Sequence, residues 1–136
     1  MDAMRIKVRG YHLDAYGHVH HARYLEFLEE ARWAFFESSV DLAAWERRNI
    51  GFFVVHLSID YRAPAGAGDC LSIHTDLVRI GNKSFTLEQR VLRDSDQTVI
   101  AEAEIVACIA DRGTQRALPL AGDILESLQA RGSSGT

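Results

Sequence analysis

Met4, Ile6 and Val8 alternate with Arg5, Lys7 and Arg9, the two-residue period of a half-buried strand, and this strand pattern is expected to end near Leu13. From about Ala22 the period changes. Leu25, Leu28, Arg32 and Phe35 mark one row, and Tyr24, Phe27, Ala31 and Phe36 recur on adjoining rows. Together they predict an amphipathic helix over 22–38, with Glu26, Glu29 and Glu30 near the edges of its apolar face. Glu37-Ser38-Ser39 breaks it, a short amphipathic piece runs through Trp45, and Asn49-Ile50-Gly51 reads as a turn. Strand patterns follow over 53–61, 71–77, 84–92 and 99–110, separated by the Pro64–Asp69 loop and by turns at Gly81-Asn82 and Asp94–Asp96. A short helix over 119–130 and a frayed Gly/Ser tail over 131–136 complete the pattern.

One strand, one long helix and then four strands is an α+β order. A helix of about four turns must bury its apolar face, so a sheet of about five antiparallel strands is expected to wrap around it within a single domain, residues 1–130. Such a sheet leaves an edge exposed, and pairing with a second copy removes that liability. The formal charge of −4 argues against a dedicated nucleic-acid binder. No apolar run approaches the ~20 residues of a membrane span, no signal-peptide pattern is read, and a cytoplasmic location is expected. Cys70 and Cys108 form no CxxC pair and lie in strand-like apolar runs, where free buried thiols are expected.

The candidate chemistry is concentrated in Asp14-Ala15-Tyr16-Gly17-His18-Val19-His20-His21-Ala22-Arg23-Tyr24, immediately before the long helix. Unpaired backbone N–H groups point outward at a helix N-terminus, and the helix dipole favours negative charge there. A carboxylate held beside those donors has the two parts acyl transfer needs, a nucleophile or water activator and an oxyanion stabiliser. On the residues alone, Asp14 is as readily an N-capping or turn aspartate. A metal site at His18, His20 and His21 would need a further carboxylate or cysteine, and no metal is expected.

This block, followed by Leu25 and by Glu30-Ala31-Arg32, resembles the signature of the hotdog-fold acyl-CoA thioesterases, in particular the 4-hydroxybenzoyl-CoA thioesterase and small-acyl-CoA thioesterase branches. Asp60-Tyr61-Arg62-Ala63-Pro64, Gly68-Asp69 and Ile80-Gly81-Asn82-Lys83-Ser84-Phe85 resemble that family's central strands in the same order, and the likeness covers about residues 4 to 112. The resemblance implies a hotdog fold, hydrolysis of an acyl-CoA thioester with no cofactor, and a homodimer that often pairs again into a tetramer. Sites would lie at the dimer interface.

Carried over residue by residue, the resemblance implies that Asp14 is nucleophile or general base; Gly17 is expected to allow a backbone conformation or a close substrate approach that a Cβ would block. The resemblance gives His21 a role through its backbone N–H, to which its ring would add a hydrogen bond or a general-acid function. His18 would orient the loop, and Tyr24 would pack at the helix start with its hydroxyl towards the acyl pocket. Lys83 and Ser84 would meet the CoA phosphates, with Arg62 and Arg112 as lesser candidates. Many relatives carry asparagines after Gly-His-Val; this chain departs with His20-His21, and His20 is expected to face solvent. Glu30 and Arg32 are expected to form an interface or helix-surface pair, with Glu30 the residue to test should Asp14 fail. His56 and His74 read as structural. Two rival readings stand beside hydrolysis: a hotdog dehydratase or hydratase, and a non-catalytic domain that binds acyl-CoA or an acyl carrier.

Overall fold

In the computed structural model the chain is described over residues 3–134, with side chains to residue 130. Its elements are β1 (Met4–Lys7), a single 3₁₀ turn (Gly10–His12), α1 (His21–Glu37), α2 (Leu42–Arg47), β2 (Ile50–Tyr61), β3 (Cys70–Ile80), β4 (Ser84–Arg93), β5 (Val99–Asp111) and α3 (Gly122–Ser134). The strands form one five-stranded antiparallel sheet in the order β1-β3-β4-β5-β2, so β1 and β2 are its edges. The α+β order read from the periodicity is therefore the observed one. On the β1–β3 pair, Met4 stands opposite Ile73 and Lys7 opposite Cys70.

Several local features depart from expectation. The first strand stops at Lys7 rather than near Leu13. The Arg9 N–H turns onto Nδ1 of His12 at 2.9 Å, and the N–H groups of His12 and Leu13 return to the carbonyls of Arg9 and Gly10. Those donors are thereby lost to a sheet ladder. The two cysteines are free but not buried: Cys70 is exposed opposite the end of an edge strand, and Cys108 is half-buried. Cys108 falls between the buried Ala107 and Ile109, on the opposite face of β5, as strand alternation requires. α3 runs on to Ser134, so most of the expected tail is helical, and residues 135–136 lie outside the described residues.

By proximity the chain divides into two compact units. The first takes in residues up to Ala34 with Ile59–Thr75 and Gln89–Ala103; the second has Phe35–Ser58, Asp76–Glu88 and the residues from Glu104 onward. In the first, Phe27, Leu28 and Ala31 of α1 are buried, as are Leu71, Ile73, Val91 and Ile100 from the strands. Full burial of each large aliphatic side chain contributes about 1.5–3 kcal/mol.

Within that apolar core sits a polar clamp. Gln89 on β4 is completely buried; its Oε1 accepts from Nη1 of Arg32 at 3.0 Å, and its Nε2 donates to the Leu28 carbonyl and to Oγ1 of Thr75, both at 3.0 Å. The amide thereby ties α1 to β3 and β4 and satisfies its own hydrogen-bonding needs. Arg32 is only 7% exposed, so the expected surface pair with Glu30 does not form; Glu30 is exposed and Arg32 points inward. In the second unit the core is aromatic and aliphatic, with Phe36 against Phe52 and Phe85 at ring separations of 4.5 and 5.8 Å.

Candidate active site

The loop before α1 is held at both ends. Leu13 bridges to Val19, the Val19 N–H donates to the Ala65 carbonyl at 2.8 Å, and the His20 N–H donates to the His12 carbonyl at 2.9 Å. Between these anchors Asp14 organises the turn. Its Oδ1 accepts from the N–H groups of Tyr16 (2.8 Å) and His18 (3.2 Å), while its own N–H donates to the His18 carbonyl at 2.8 Å. Gly17 completes the turn at φ +79°, a left-handed conformation open to glycine, and no atom lies near enough to crowd an added Cβ. The Tyr16 N–H bond is the main cause that holds the Asp14 carboxyl below the usual aspartate range, with the His18 N–H adding to it. Only one of its two oxygens is so engaged. Among the described residues Oδ2 has no hydrogen-bond partner.

His21 is the first residue of α1, so its N–H has no acceptor within the helix. The next two donors are taken: the Ala22 N–H reaches Nδ1 of His20 at 3.1 Å, and the Arg23 N–H reaches the His20 carbonyl at 2.9 Å. Among the described residues the His21 N–H is left without a partner. A free donor at the positive end of a helix is suited to a developing oxyanion.

Asp14, His18 and His21 line one cleft of about 320 Å³ with Val19, Tyr24, Tyr61, Arg62, Ala63 and Pro64. Tyr24 is almost fully buried, and burial, with Tyr61 beside it, pushes its phenol up to about 12, so it remains a neutral hydroxyl. Arg62 stands at the rim but is engaged with carboxylates, 3.6 Å from Asp60 and 3.3 Å from Glu102. Arg93 supports the other side: its Nη2 donates to the Pro64 carbonyl at 2.6 Å, and Asp69 and Asp96 hold the guanidinium at 3.4 and 2.9 Å.

The structure thus brings Asp14, His18, His21, Tyr24 and Arg62 together, with Gly17 in the same loop. Lys83 and Ser84 stand in the second unit, where the Gly81 N–H closes the turn onto the Ser84 carbonyl at 2.7 Å; they are not among the residues lining this cleft. Arg112 is also in the second unit, its N–H bonded to the Asn49 carbonyl. Among the described residues no group of three or more His, Cys, Asp or Glu side chains is arranged to hold a metal ion.

One cleft residue carries more than its sequence pattern suggested. The Tyr61 hydroxyl donates to the His21 carbonyl at 3.1 Å, and its ring lies 5.7 Å from that of Tyr24. Its place in the Asp60–Pro64 block was the available signal. His20 is exposed as expected, yet it caps the helix through Nδ1, a contact its position just before the apolar period could have indicated.

Comparison with known proteins gives a consistent picture. The family model described as the thioesterase-like superfamily matches residues 8–128. The chain is 46% identical over 125 residues to the long-chain acyl-CoA thioesterase FadM of Escherichia coli K12, spanning 92% of this chain and 95% of that one. It is 32% identical over 99 residues to the acyl-CoA thioesterase YbgC of Haemophilus influenzae, spanning 71% of each. The crystal structure of YbaW, a probable thioesterase from Escherichia coli, superposes with a TM-score of 0.87 at 44% identity and covers 95% of this chain and 97% of that one.

Proposed function

Because this chain belongs to the thioesterase-like superfamily and has the hotdog fold, we propose that it is an acyl-CoA thioesterase, cleaving a thioester to a carboxylic acid and coenzyme A, with Asp14 as its reacting group. One observation carries the assignment of Asp14. Asp14, whose Oδ2 is free, and His21, whose N–H is free, line the same cleft. In one course Oδ2 attacks the thioester carbonyl carbon, the carbon–sulfur bond breaks, the thiolate leaves and takes up a proton, and water opens the resulting mixed anhydride. In the other, Oδ2 takes a proton from water as that water attacks the carbonyl carbon, the carbon–sulfur bond breaks, and the departing thiolate takes up a proton. In both, the oxygen that gains charge faces the His21 N–H, and loss of one such donor typically costs ~10²–10³ in rate.

The Tyr16 and His18 donors suit Asp14 to either role, since they keep it ionised while leaving Oδ2 available. Val19, Tyr24, Ala63 and Pro64 give the cleft an apolar wall for the acyl group. The likeness to a long-chain acyl-CoA thioesterase supports a long-chain acyl group as the substrate class, and a cytoplasmic site of action goes with a CoA thioester. β2 supports a homodimer: it is an edge strand with Phe53, Val54 and Val55 exposed, and a second copy can pair with the backbone groups of that edge. The position of Lys83 and Ser84 at a turn leaves an ammonium and a hydroxyl available to CoA phosphates.

Release of free thiol from short, long and aromatic acyl-CoAs tests the reading, with Asp14→Ala measured alongside. Long-chain thioesters are expected to be cleaved fastest, and the variant is expected to lose turnover by orders of magnitude while remaining folded. Near-normal hydrolysis by Asp14→Ala rejects the assignment of Asp14. Tight acyl-CoA binding without thiol release indicates a binding domain, and double-bond formation from a 3-hydroxyacyl thioester a dehydratase.

A further inference from the structure

We infer that His20 is a positioning residue: as a neutral imidazole it caps α1 through Nδ1 and so presents the His21 N–H as the free donor of the helix terminus. The inference rests on the reading above, in which that N–H receives the oxyanion. Four contacts carry it. His20 Nδ1 accepts from the Ala22 N–H at 3.1 Å, a contact normally supplied by a serine, aspartate or asparagine oxygen. The backbone of His20 is fixed on both sides, its N–H on the His12 carbonyl at 2.9 Å and its carbonyl under the Arg23 N–H at 2.9 Å. Its ring stacks on that of His21 with centroids 4.4 Å apart and planes 23° apart.

The chemistry of an imidazole makes this arrangement specific. A ring nitrogen that accepts a hydrogen bond carries no proton, so the cap requires the neutral tautomer with its proton on Nε2. With Ala22 and Arg23 both satisfied by His20, the His21 N–H is not in competition with its neighbours for an incoming oxygen. Without the cap, the Ala22 N–H becomes a second free donor beside it and the first turn is free to fray. The stacked ring also restricts the His21 side chain, which lines the cleft and whose carbonyl is held by the Tyr61 hydroxyl at 3.1 Å.

Three variants separate the cap from the ring. His20→Asn retains a side-chain acceptor at the cap, His20→Phe retains a stacking ring without an acceptor, and His20→Ala retains neither. Thiol release is expected to show kcat lowered about fivefold in His20→Ala and His20→Phe, with KM within twofold, and restored to within twofold of the parent in His20→Asn. Rescue by His20→Phe but not by His20→Asn, or an unchanged kcat in His20→Ala, overturns the inference. Nitrogen-15 NMR of the histidine rings in the parent protein gives a readout independent of turnover. The His20 ring is expected to show a protonated Nε2 and an unprotonated Nδ1 at neutral pH, and the opposite tautomer overturns the cap. Should Asp14→Ala remain active, the reading of the catalytic carboxylate fails, while the tautomer measurement still decides the role of His20.

Discussion

Asp14 and Arg32 are charged side chains of the same unit, and their charges are accommodated in opposite ways. Asp14 sits in a loop at an open cleft, receives two backbone donors on one oxygen and keeps the other free. Arg32 is buried beside a neutral amide, and burial lowers its pKa from the usual arginine value. The contrast separates a carboxylate with one oxygen left free from a guanidinium used to hold. Asp14 can exchange partners because its bonds to the loop use one oxygen. Arg32 is not free in this way, because its Nη1 is bonded to the Gln89 amide and water is largely excluded from it.

The strongest test of this contrast extends Asp14→Ala to stability. Turnover is expected to fall by about 10³-fold or more, whereas the thermal midpoint should stay close to that of the parent; a large fall in the midpoint would make Asp14 a structural group like Arg32. Gln89→Leu probes the other side. It leaves the Arg32 guanidinium without its acceptor, removes the Gln89 donor from the Leu28 carbonyl and the Thr75 hydroxyl, and is expected to destabilise the fold by about 3–5 kcal/mol in urea unfolding. Specific activity of the folded fraction should change little, and a selective loss of kcat at unchanged stability would contradict the clamp.

The smallest effect expected is one of pH. Burial, with Arg23 and Arg9 nearby, lowers the pKa of His12, whose Nδ1 accepts from the Arg9 N–H. A histidine depressed in the folded state contributes stability that is complete above its unfolded value, about 6.5, and is lost as pH falls towards its folded value. Asp14 is also depressed, but from a lower starting value, so its loss of charge belongs to more acidic solution, below the ordinary aspartate range. Stability should therefore begin to fall at a higher pH than the Asp14-dependent loss of kcat/KM. Thermal midpoints and rates measured over the same pH series check the order, and a coincident decline would remove the distinction.

Much of the fold was legible because its signals are periodic. The change from the two-residue period of β1 to the rows of α1 marked the long helix to within a residue at either end, and alternation marked the later strands. The candidate-site loop stood out for another reason, since Asp14, Gly17 and the following histidines are clustered in sequence. The clamp was harder to see. Arg32 lies in the same helical row as Leu28 and Phe35, and Gln89 alternates with Leu87 and Val91, so both interrupt apolar patterns. Pattern alone does not show whether such a residue marks the edge of a face or is satisfied inside it. That depends on the partner, and here the partners lie 57 residues apart. The cap at His20 raises the same difficulty on a smaller scale, since an imidazole before a helix can face water or accept from the next turn.

The hydrogen bond from Tyr61 to the His21 carbonyl has a consequence for how the protein is assembled. It joins the end of β2 to the start of α1 across 40 residues of chain, and the Arg93 contact to Pro64 spans a further 29. Closing such loops costs entropy before any contact is gained, so the cleft belongs to the late, non-local part of folding. A nascent chain released after the helix would carry Asp14 and His21 with nothing opposite them. Catalytic competence should consequently appear as a step, on completion of the sheet, rather than accumulate as secondary structure forms.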